Sequence, residues 1–303
     1  MTSIKAIVMS KVKFQHYVPR FYLKQFCFKV RKNTGYIYCY DKFNLKVRPN
    51  KINRVAGQNY FFDDSGSLVQ PIESTLRKFE SKFKPTYKKL CKFENLNLLS
   101  YNEKILTSLY VVTQETRTYE MRESLRSGIS LLRESIESRG VELTSEQKDE
   151  FEEALTEGSL RGMQREILKD IPDFASILFH MKWMLIRNTF DVPFWTSDHP
   201  VVRWNDEDHG FYGNLGYLSS GIQIFFPLTP KLCLSFVDPV KYASLPPIAE
   251  TPMLDNVIHQ NWLQLISSTR QIFSNNKDFS LAEEYLTKYP ELKDPDRPRH
   301  KII

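Results

Sequence analysis

The sequence lacks the motifs that identify the common nucleotide-dependent and metal-dependent enzymes. It has no P-loop, no G-x-G-x-x-G turn, no H-E-x-x-H helix and no kinase signature. Each of these motifs arranges backbone amides or metal ligands around a reacting group. Their absence argues against nucleotide-hydrolysing motors, Rossmann dehydrogenases and the common zinc proteases.

Cysteine and long apolar runs are also scarce. Cys27, Cys39, Cys91 and Cys233 are too far apart for a zinc knuckle or a redox C-x-x-C pair, so buried reduced thiols are expected. The apolar run at residues 4–9 is too short for a signal core, and no stretch reaches the roughly 18 apolar residues of a membrane span. We therefore expect a cytoplasmic protein that does not associate with membranes.

The composition is that of a folded protein with a substantial core. Of the 303 residues, 41% are hydrophobic and 26% are charged, so the chain is not compositionally disordered. Aromatic residues make up 13%, and they could build a rigid core or line a cleft that stacks bases. The net charge of +6 agrees with nucleic acid as a partner without proving it. The sequence does not indicate the oligomeric state.

Hydrophobic periodicity divides the first half of the chain into strands followed by helices. Alternation over residues 36–48 predicts a β-hairpin, and residues 58–62 predict a third short strand. From Pro71 the period changes to that of an amphipathic helix, with apolar residues four, seven and eleven positions after Ile72. A second helix is predicted to begin near Asn102.

The rest of the chain predicts more helices and then a return to strands. The fold expected is a single α+β domain over residues 1–303, in which small antiparallel sheet elements from both ends of the chain pack with a central helical bundle. Further helices are predicted at 172–187, 252–266 and 280–288, strands at 194–196, 201–204, 221–226 and 232–237, a charged helical hairpin insertion at about 120–169, and a flexible tail from about 290.

The first candidate for chemistry is the segment of His16, Tyr17 and Arg20. A histidine can exchange a proton near neutral pH, and an arginine can stabilise an oxyanion or a phosphate. Pro19 would stiffen the link between them. The alternative is that His16 and Arg20 make structural hydrogen bonds that anchor the N-terminal segment.

The second candidate is the pair Gln114 and Arg117. Residues three apart lie on the same side of a helix, so the amide and the guanidinium could address one ligand. They could equally belong to a buried polar network, with Arg117 paired to Glu73, Glu80 or Asp198. A buried arginine without a carboxylate would be costly, so a partner is expected.

The third candidate is the stretch of residues 196–200 between two predicted strands. Ser197 could be a nucleophile, and Asp198 could orient His16 or hold a cation. The alternative is a turn in which Asp198 caps backbone N–H groups. No G-x-S-x-G elbow surrounds Ser197, so a serine hydrolase is disfavoured.

The acidic stretch 205–209 lacks the register of a calcium loop, and no metal ligands are assigned.

Four segments occur in an order that resembles a known family. They are HYVPRFYL at residues 16–23, Gln114-x-x-Arg117, FWTSDHP at 194–200 and FPLTP at 226–230. Together they resemble the domain-of-unknown-function family numbered 4238 over about residues 14–275. That family has no assigned activity, so the resemblance implies which family the chain belongs to but does not imply a reaction. His199 stands where a relative is expected to have Asn or another small polar residue, so it is a poor candidate for a ligand.

These candidates combine into one functional hypothesis. A nuclease or phosphodiesterase would use His16 as general acid or base, Arg20 and Arg117 to bind an anion, and Asp198 to orient His16 or hold a divalent cation. Tyr17, Gln114 and Ser197 would contact the substrate. The alternative is a non-catalytic module that binds nucleic acid or protein and in which the motif residues are structural.

Overall fold

The structure, a computed structural model, describes residues 12–32, 34–66, 69–207 and 214–299. Within these ranges helices combine with antiparallel sheets, which confirms the predicted α+β class. None of the described helices is long and apolar enough to cross a lipid bilayer. The apolar run at residues 4–9, His209 and His300 lie outside the described residues.

The described residues form the following strands and helices, numbered in chain order. The strands are β1 (Phe14–His16), β2 (Lys29–Arg31), β3 (Thr34–Asp41), β4 (Lys46–Lys51), β5 (Gly57–Asn59), β6 (Lys182–Arg187), β7 (Thr196–Ser197), β8 (Val202–Trp204), β9 (Gln223–Thr229), β10 (Leu232–Val237), β11 (Ile248–Glu250) and β12 (Gln271–Ser274). The helices are α1 (Arg20–Leu23), α2 (Pro71–Phe93), α3 (Tyr101–Thr116), α4 (Tyr119–Ser138), α5 (Ser145–Ala154), α6 (Glu157–Ile167), α7 (Ile171–His180), α8 (Leu254–Ser267) and α9 (Ser280–Lys288).

One five-stranded sheet joins the two ends of the chain, as the sequence predicts. Its centre is β3, which pairs with β2 and β4 from the N-terminal part and with β12 from the C-terminal part. β12 also pairs with β7, which carries Ser197 at its end. The predicted hairpin over residues 36–48 corresponds to β3 and β4. The predicted third strand is β5, which pairs instead with β1 in a separate two-stranded ribbon.

The second five-stranded sheet contains the one clear error in the predicted helices. The order is β11-β6-β10-β9-β8, antiparallel except for β11 and β6. The helix predicted over residues 172–187 ends at His180, and its second half is β6. The apolar residues after Met181 are compatible with a buried strand as well as with a helix. They form a strand because their backbone pairs with β10. Pro227 lies inside β9 where the register with β10 shifts.

The predicted insertion at 120–169 forms three helices, α4 to α6, that are tied to the core. Arg122 of α4 is buried, and its guanidinium donates to the Phe61 carbonyl and to Gln164 Oε1. Gln164 in turn donates to the carbonyls of Thr116 and Thr118, which lie at the junction of α3 and α4. The helical section therefore closes over the end of α3.

The C-terminal segment contacts the body of the protein where the sequence predicts a flexible tail. Arg297 is 6% exposed and donates to Glu120 Oε1 at 3.2 Å and to the Ser268 carbonyl at 2.9 Å. Arg299 donates to the same Glu120 oxygen at 3.2 Å. These contacts fasten residues 297–299 to α4 and to the end of α8.

Gly57 is required where β5 meets β1, because no side chain fits between the two strands. A Cβ atom at Gly57 would lie 2.6 Å from Phe14 Cε1 and 2.7 Å from the Gln15 carbonyl oxygen. One of these contacts is to backbone, so it cannot be relieved by turning a side chain. The ribbon that begins the HYVPRFYL segment therefore depends on this glycine.

We predict that Gly57→Ala lowers the free energy of unfolding by about 1–3 kcal/mol, the range for inserting a methyl group into a packed site. Urea denaturation would measure it. The control is Gly162→Ala in α6, where a Cβ meets no heavy atom within 4 Å; this change should be neutral or stabilising by about 0.4–1 kcal/mol. Equal effects of the two substitutions would contradict the steric argument.

Candidate functional site

The HYVPRFYL segment is fastened to the end of α3 by the two residues that the sequence singled out there. Gln114 Nε2 donates to the Tyr17 carbonyl at 3.0 Å, and Arg117 Nη2 donates to the His16 carbonyl at 2.7 Å. Both side chains are buried. Arg117 Nη1 also donates to Glu80 Oε1 at 2.7 Å, so one of the expected carboxylate partners is present. The structure thus brings His16, Tyr17, Gln114 and Arg117 together through the backbone of the segment.

The His16 ring is held in its neutral form. Its Nε2 lies 3.2 Å from the Ile52 carbonyl, which only accepts, so this nitrogen carries the proton. Burial, with a smaller contribution from the positive charge of Arg20, lowers the pKa of His16 to about 4. A base with so low a pKa is nearly always deprotonated at neutral pH and is a weak proton acceptor.

Asp198 is buried and is saturated by backbone donors. Its Oδ1 accepts from the Thr269 amide at 2.9 Å, and its Oδ2 accepts from the amides of Arg270 and Gln271 at 2.9 and 2.8 Å. Burial raises the pKa of Asp198 to about 6 in spite of these bonds. The carboxylate makes no hydrogen bond to His16 in the part of the chain that the structure describes. Asp198 therefore caps the backbone amides of the residues that lead into β12.

Ser197 is fully buried beside Asp198. Its Oγ lies 2.8 Å from Gln264 Oε1 and 2.9 Å from the His199 carbonyl, and it accepts from the His199 amide at 3.2 Å. His199 Nδ1 lies 2.7 Å from Thr118 Oγ1. These contacts stabilise the turn after β7 and leave the Ser197 hydroxyl no exposure to solvent.

Arg20 is the exposed member of the predicted set. Tyr17 is buried, with its ring centroid 5.1 Å from that of Phe61. Arg20 instead projects from α1 toward solvent, on the wall of a cavity of ≈ 900 Å³ between α1, α2 and the start of the first sheet. The predicted residues therefore separate into a buried framework and one cation at an open groove.

The groove is strongly basic, and most of its cations were not recognised from the sequence. It is lined by Arg20, Phe21, Lys24, Gln25, Val30, Thr34, Ile52, Asn53, Arg77, Glu80, Ser81, Lys84, Tyr87 and Lys88. We call this set the basic groove. Arg77 lies 3.4 Å from Glu73, and Glu80 is engaged by Arg117. Within the described residues, no carboxylate lies within 4.0 Å of Arg20, Lys24, Lys84 or Lys88.

A signal for this groove was present in the sequence. Arg77, Ser81, Lys84 and Lys88 follow i, i+4, i+7 and i+11, so they form one polar stripe on α2 beside the apolar stripe used to predict the helix. Charge is also unevenly distributed. Residues 1–93 contain 20 Lys and Arg against five Asp and Glu, whereas residues 94–303 contain 22 against 31. The modest net charge of +6 hides a basic N-terminal part of +15 and an acidic remainder of −9.

Comparison with protein families identifies the chain. The family model described as "Protein of unknown function (DUF4238)" matches residues 15–278, which include the HYVPRFYL segment, α3, the turn after β7 and the basic groove. The chain belongs to this family. Comparison with curated proteins and with solved structures finds no match.

Metal-ligating side chains are not clustered in the described part of this DUF4238 protein. No group of three or more His, Cys, Asp or Glu residues there has the geometry to hold a metal ion. The four cysteines are free thiols; Cys39 and Cys233 are buried, and Cys27 and Cys91 are partly buried.

We predict that protonation of His16 destabilises the fold. Because its pKa is lowered from 6.5 to about 4, the unfolded chain binds the proton first as the pH falls, so stability is lost below about pH 6.5. The shift corresponds to at most about 3 kcal/mol. Urea unfolding of wild type and His16→Gln at about pH 7 and about pH 4.5 would measure this loss, which the variant should lack.

The matched control for this measurement is His180→Gln, since His180 is exposed at the end of α7. It should follow the wild-type pH dependence. Identical pH dependence of wild type and His16→Gln would show that the His16 ring is not held neutral by the fold.

Proposed function

We propose that this DUF4238 protein binds single-stranded nucleic acid through the basic groove, without cleaving it. The observation that carries the proposal is the groove itself, in which five Lys and Arg side chains face a cavity of ≈ 900 Å³ against one carboxylate that is already paired. Neutralising phosphates with Lys and Arg releases counterions, and this release drives most binding to nucleic-acid backbones.

The spacing of the cations supports a chain of phosphates over a single small anion. Along α2 the stripe from Arg77 to Lys88 extends about 16 Å at 1.5 Å per residue. Arg20 and Lys24 form the opposite wall, four residues apart on α1 and the turn that follows it. A phosphodiester backbone lying between these walls would meet cations on both sides.

Aromatic rings beside the groove support an unpaired strand. Phe28, 38% exposed, stacks on Tyr38 with ring centroids 4.2 Å apart. It precedes β2, whose Val30 lines the groove. Bases of single strands stack on exposed aromatic side chains without regard to sequence. The combination of a basic groove and a nearby exposed ring is typical of such binding.

The nuclease hypothesis has less support than binding. Its proposed base, His16, has a pKa near 4 and one nitrogen bonded to a carbonyl, while Ser197 and Asp198 are buried and saturated with hydrogen bonds. A phosphate in the groove would reach Arg20, but the other proposed catalytic groups belong to the buried framework.

We propose the cytoplasm as the location, because four free thiols fit a reducing compartment.

We predict that Lys84→Glu/Lys88→Glu weakens binding of labelled single-stranded RNA or DNA by about tenfold or more and lowers the salt dependence. Fluorescence anisotropy at several salt concentrations would measure both, with a duplex of the same sequence as the weaker competitor. The control is Lys148→Glu/Lys288→Glu, which makes the same change of charge at exposed helical positions in α5 and α9. If the two double variants bind alike, the groove is not the binding surface.

Catalysis is tested separately by incubating wild type with labelled RNA and DNA, with and without magnesium or manganese. The proposal expects strands of unchanged length. Cleavage by wild type that is lost in His16→Gln, while binding persists, would overturn the non-catalytic proposal in favour of a nuclease.

A further inference from the structure

Four partly exposed aromatic rings from β8, α8 and α9 contact one another. They belong to Trp204, His259, Trp262 and Tyr285. The Trp204 ring meets the rings of His259 and Trp262 edge to face, with centroids 5.0 and 5.7 Å apart. Trp262 extends the group to Tyr285, with centroids 6.5 Å apart. We call these four residues the aromatic patch.

The spacing of residues along α8 explains why part of the patch reaches solvent. Asp255, His259 and Trp262 follow i, i+4 and i+7, so they form one stripe on the helix. Buried residues of α8, among them Val257 and Gln264, lie on the opposite side of the helix at 3.6 residues per turn. The stripe that carries two of the four rings therefore faces away from the core.

Carboxylates border the aromatic patch. Asp206 Oδ1 accepts from Trp204 Nε1 at 2.6 Å. Asp255 lies on the same stripe of α8 as the rings, and Glu284 directly precedes Tyr285 on α9. All three carboxylates are exposed, and in the ranges that the structure describes no Lys, Arg or His nitrogen lies within 4.0 Å of their oxygens.

The basic groups beside the patch do not offset this negative border. Lys288, three residues after Tyr285, has its Nζ 5.3 Å from the ring centroid of Tyr289. Burial raises the pKa of Tyr285, and the nearby carboxylates raise it further although Lys288 opposes them. Burial lowers the pKa of His259 in spite of the charge of Asp206, so this ring adds no positive charge at neutral pH.

The combination of rings and carboxylates has the chemistry that recognises a cation. Aromatic faces attract cations, and tryptophan does so best. The bordering carboxylates would repel the phosphates of a nucleic acid. Because the rings contact one another directly, a trimethylammonium group cannot lie between them as it does in an aromatic cage. A planar guanidinium can instead stack on the exposed surface of a ring and form a bidentate pair with a carboxylate.

We propose that the aromatic patch binds an arginine-rich segment of a partner protein. Its guanidinium groups stack on the rings and bond to Asp206 and Asp255. Tryptophan, tyrosine and arginine are also the residues that contribute most to protein interfaces. The surface is independent of the basic groove, because it uses β8, α8 and α9 instead of α1 and α2.

The test measures binding of labelled eight-residue peptides to the full chain by fluorescence anisotropy. One peptide alternates Arg and Gly, and two others have citrulline or Lys in place of Arg. The arginine peptide is expected to bind most tightly, with the neutral citrulline peptide weaker by about tenfold or more. Unlabelled arginine peptide should also change the tryptophan emission, since two of the four tryptophans lie in the patch. Equal affinity for the arginine peptide and either of the others overturns the proposal.

Variants distinguish the patch from other acidic surfaces. Asp206→Asn/Asp255→Asn keeps the shape of both side chains and should weaken binding of the arginine peptide by about tenfold. The matched control is Glu146→Gln/Glu150→Gln, which removes the same charge at exposed positions of α5 and should bind like wild type. Trp262→Leu should weaken binding and reduce the change in emission. If Trp262→Leu does not fold, the aspartate variant is sufficient: affinity equal to that of the control overturns the proposal.

A second copy of the chain is the competing occupant, and sedimentation velocity tests it. Wild type alone is expected to sediment like Asp206→Asn/Asp255→Asn at the same concentration. An oligomer of wild type that this variant dissociates would place a second copy on the patch and would overturn the assignment to a different protein.

Discussion

The turn between α8 and β12 is held on both sides by buried ions that bond directly to its backbone. Carbonyls at the end of α8 and in the turn accept from cations: Lys42 Nζ donates to Leu265 of α8 at 3.1 Å and to Ser268 at 2.5 Å, and Arg297 also donates to Ser268. The turn's amides donate to the Asp198 carboxylate. The turn therefore carries opposite partial charges on its two sides, each matched by an ion. Through it, the end of β3, the end of β7 and the C-terminal segment are fixed relative to one another.

The motif residues that looked most like catalytic groups contribute in the same manner. Arg117 and Gln114 bond to carbonyls of the HYVPRFYL segment, and Asp198 bonds to amides entering β12. In each case a polar side chain satisfies backbone groups that would otherwise be buried without partners. Buried ions used in this way specify the path of the chain, and they leave recognition of ligands to exposed cations such as those of the basic groove.

Patterns in the sequence predicted those features of the structure that depend on helical periodicity or on the chemistry of a single side chain. Periodicity identified α2, and the cost of an unpaired buried arginine predicted a carboxylate partner for Arg117, which is Glu80 among the three candidates. The β6 strand was misassigned because a short apolar run does not distinguish strand from helix without its neighbours. Lys42 and Glu120 were not recognised at all, since their partners are 223 and 177 residues away and no spacing in the sequence connects them.

The pairing of β3 with β12 also sets the order in which the protein can fold during synthesis. Tyr38 faces Ser274 in the register, so the centre of the first sheet cannot be completed until most of the chain has been translated. Contacts of such large sequence separation slow folding, because loop closure must precede the stabilisation they bring. Until then, β3 exposes an unpaired edge on the most basic part of the chain. Positive charge on the neighbouring strands, such as Lys46 and Arg48 of β4, would discourage that edge from pairing with another nascent copy.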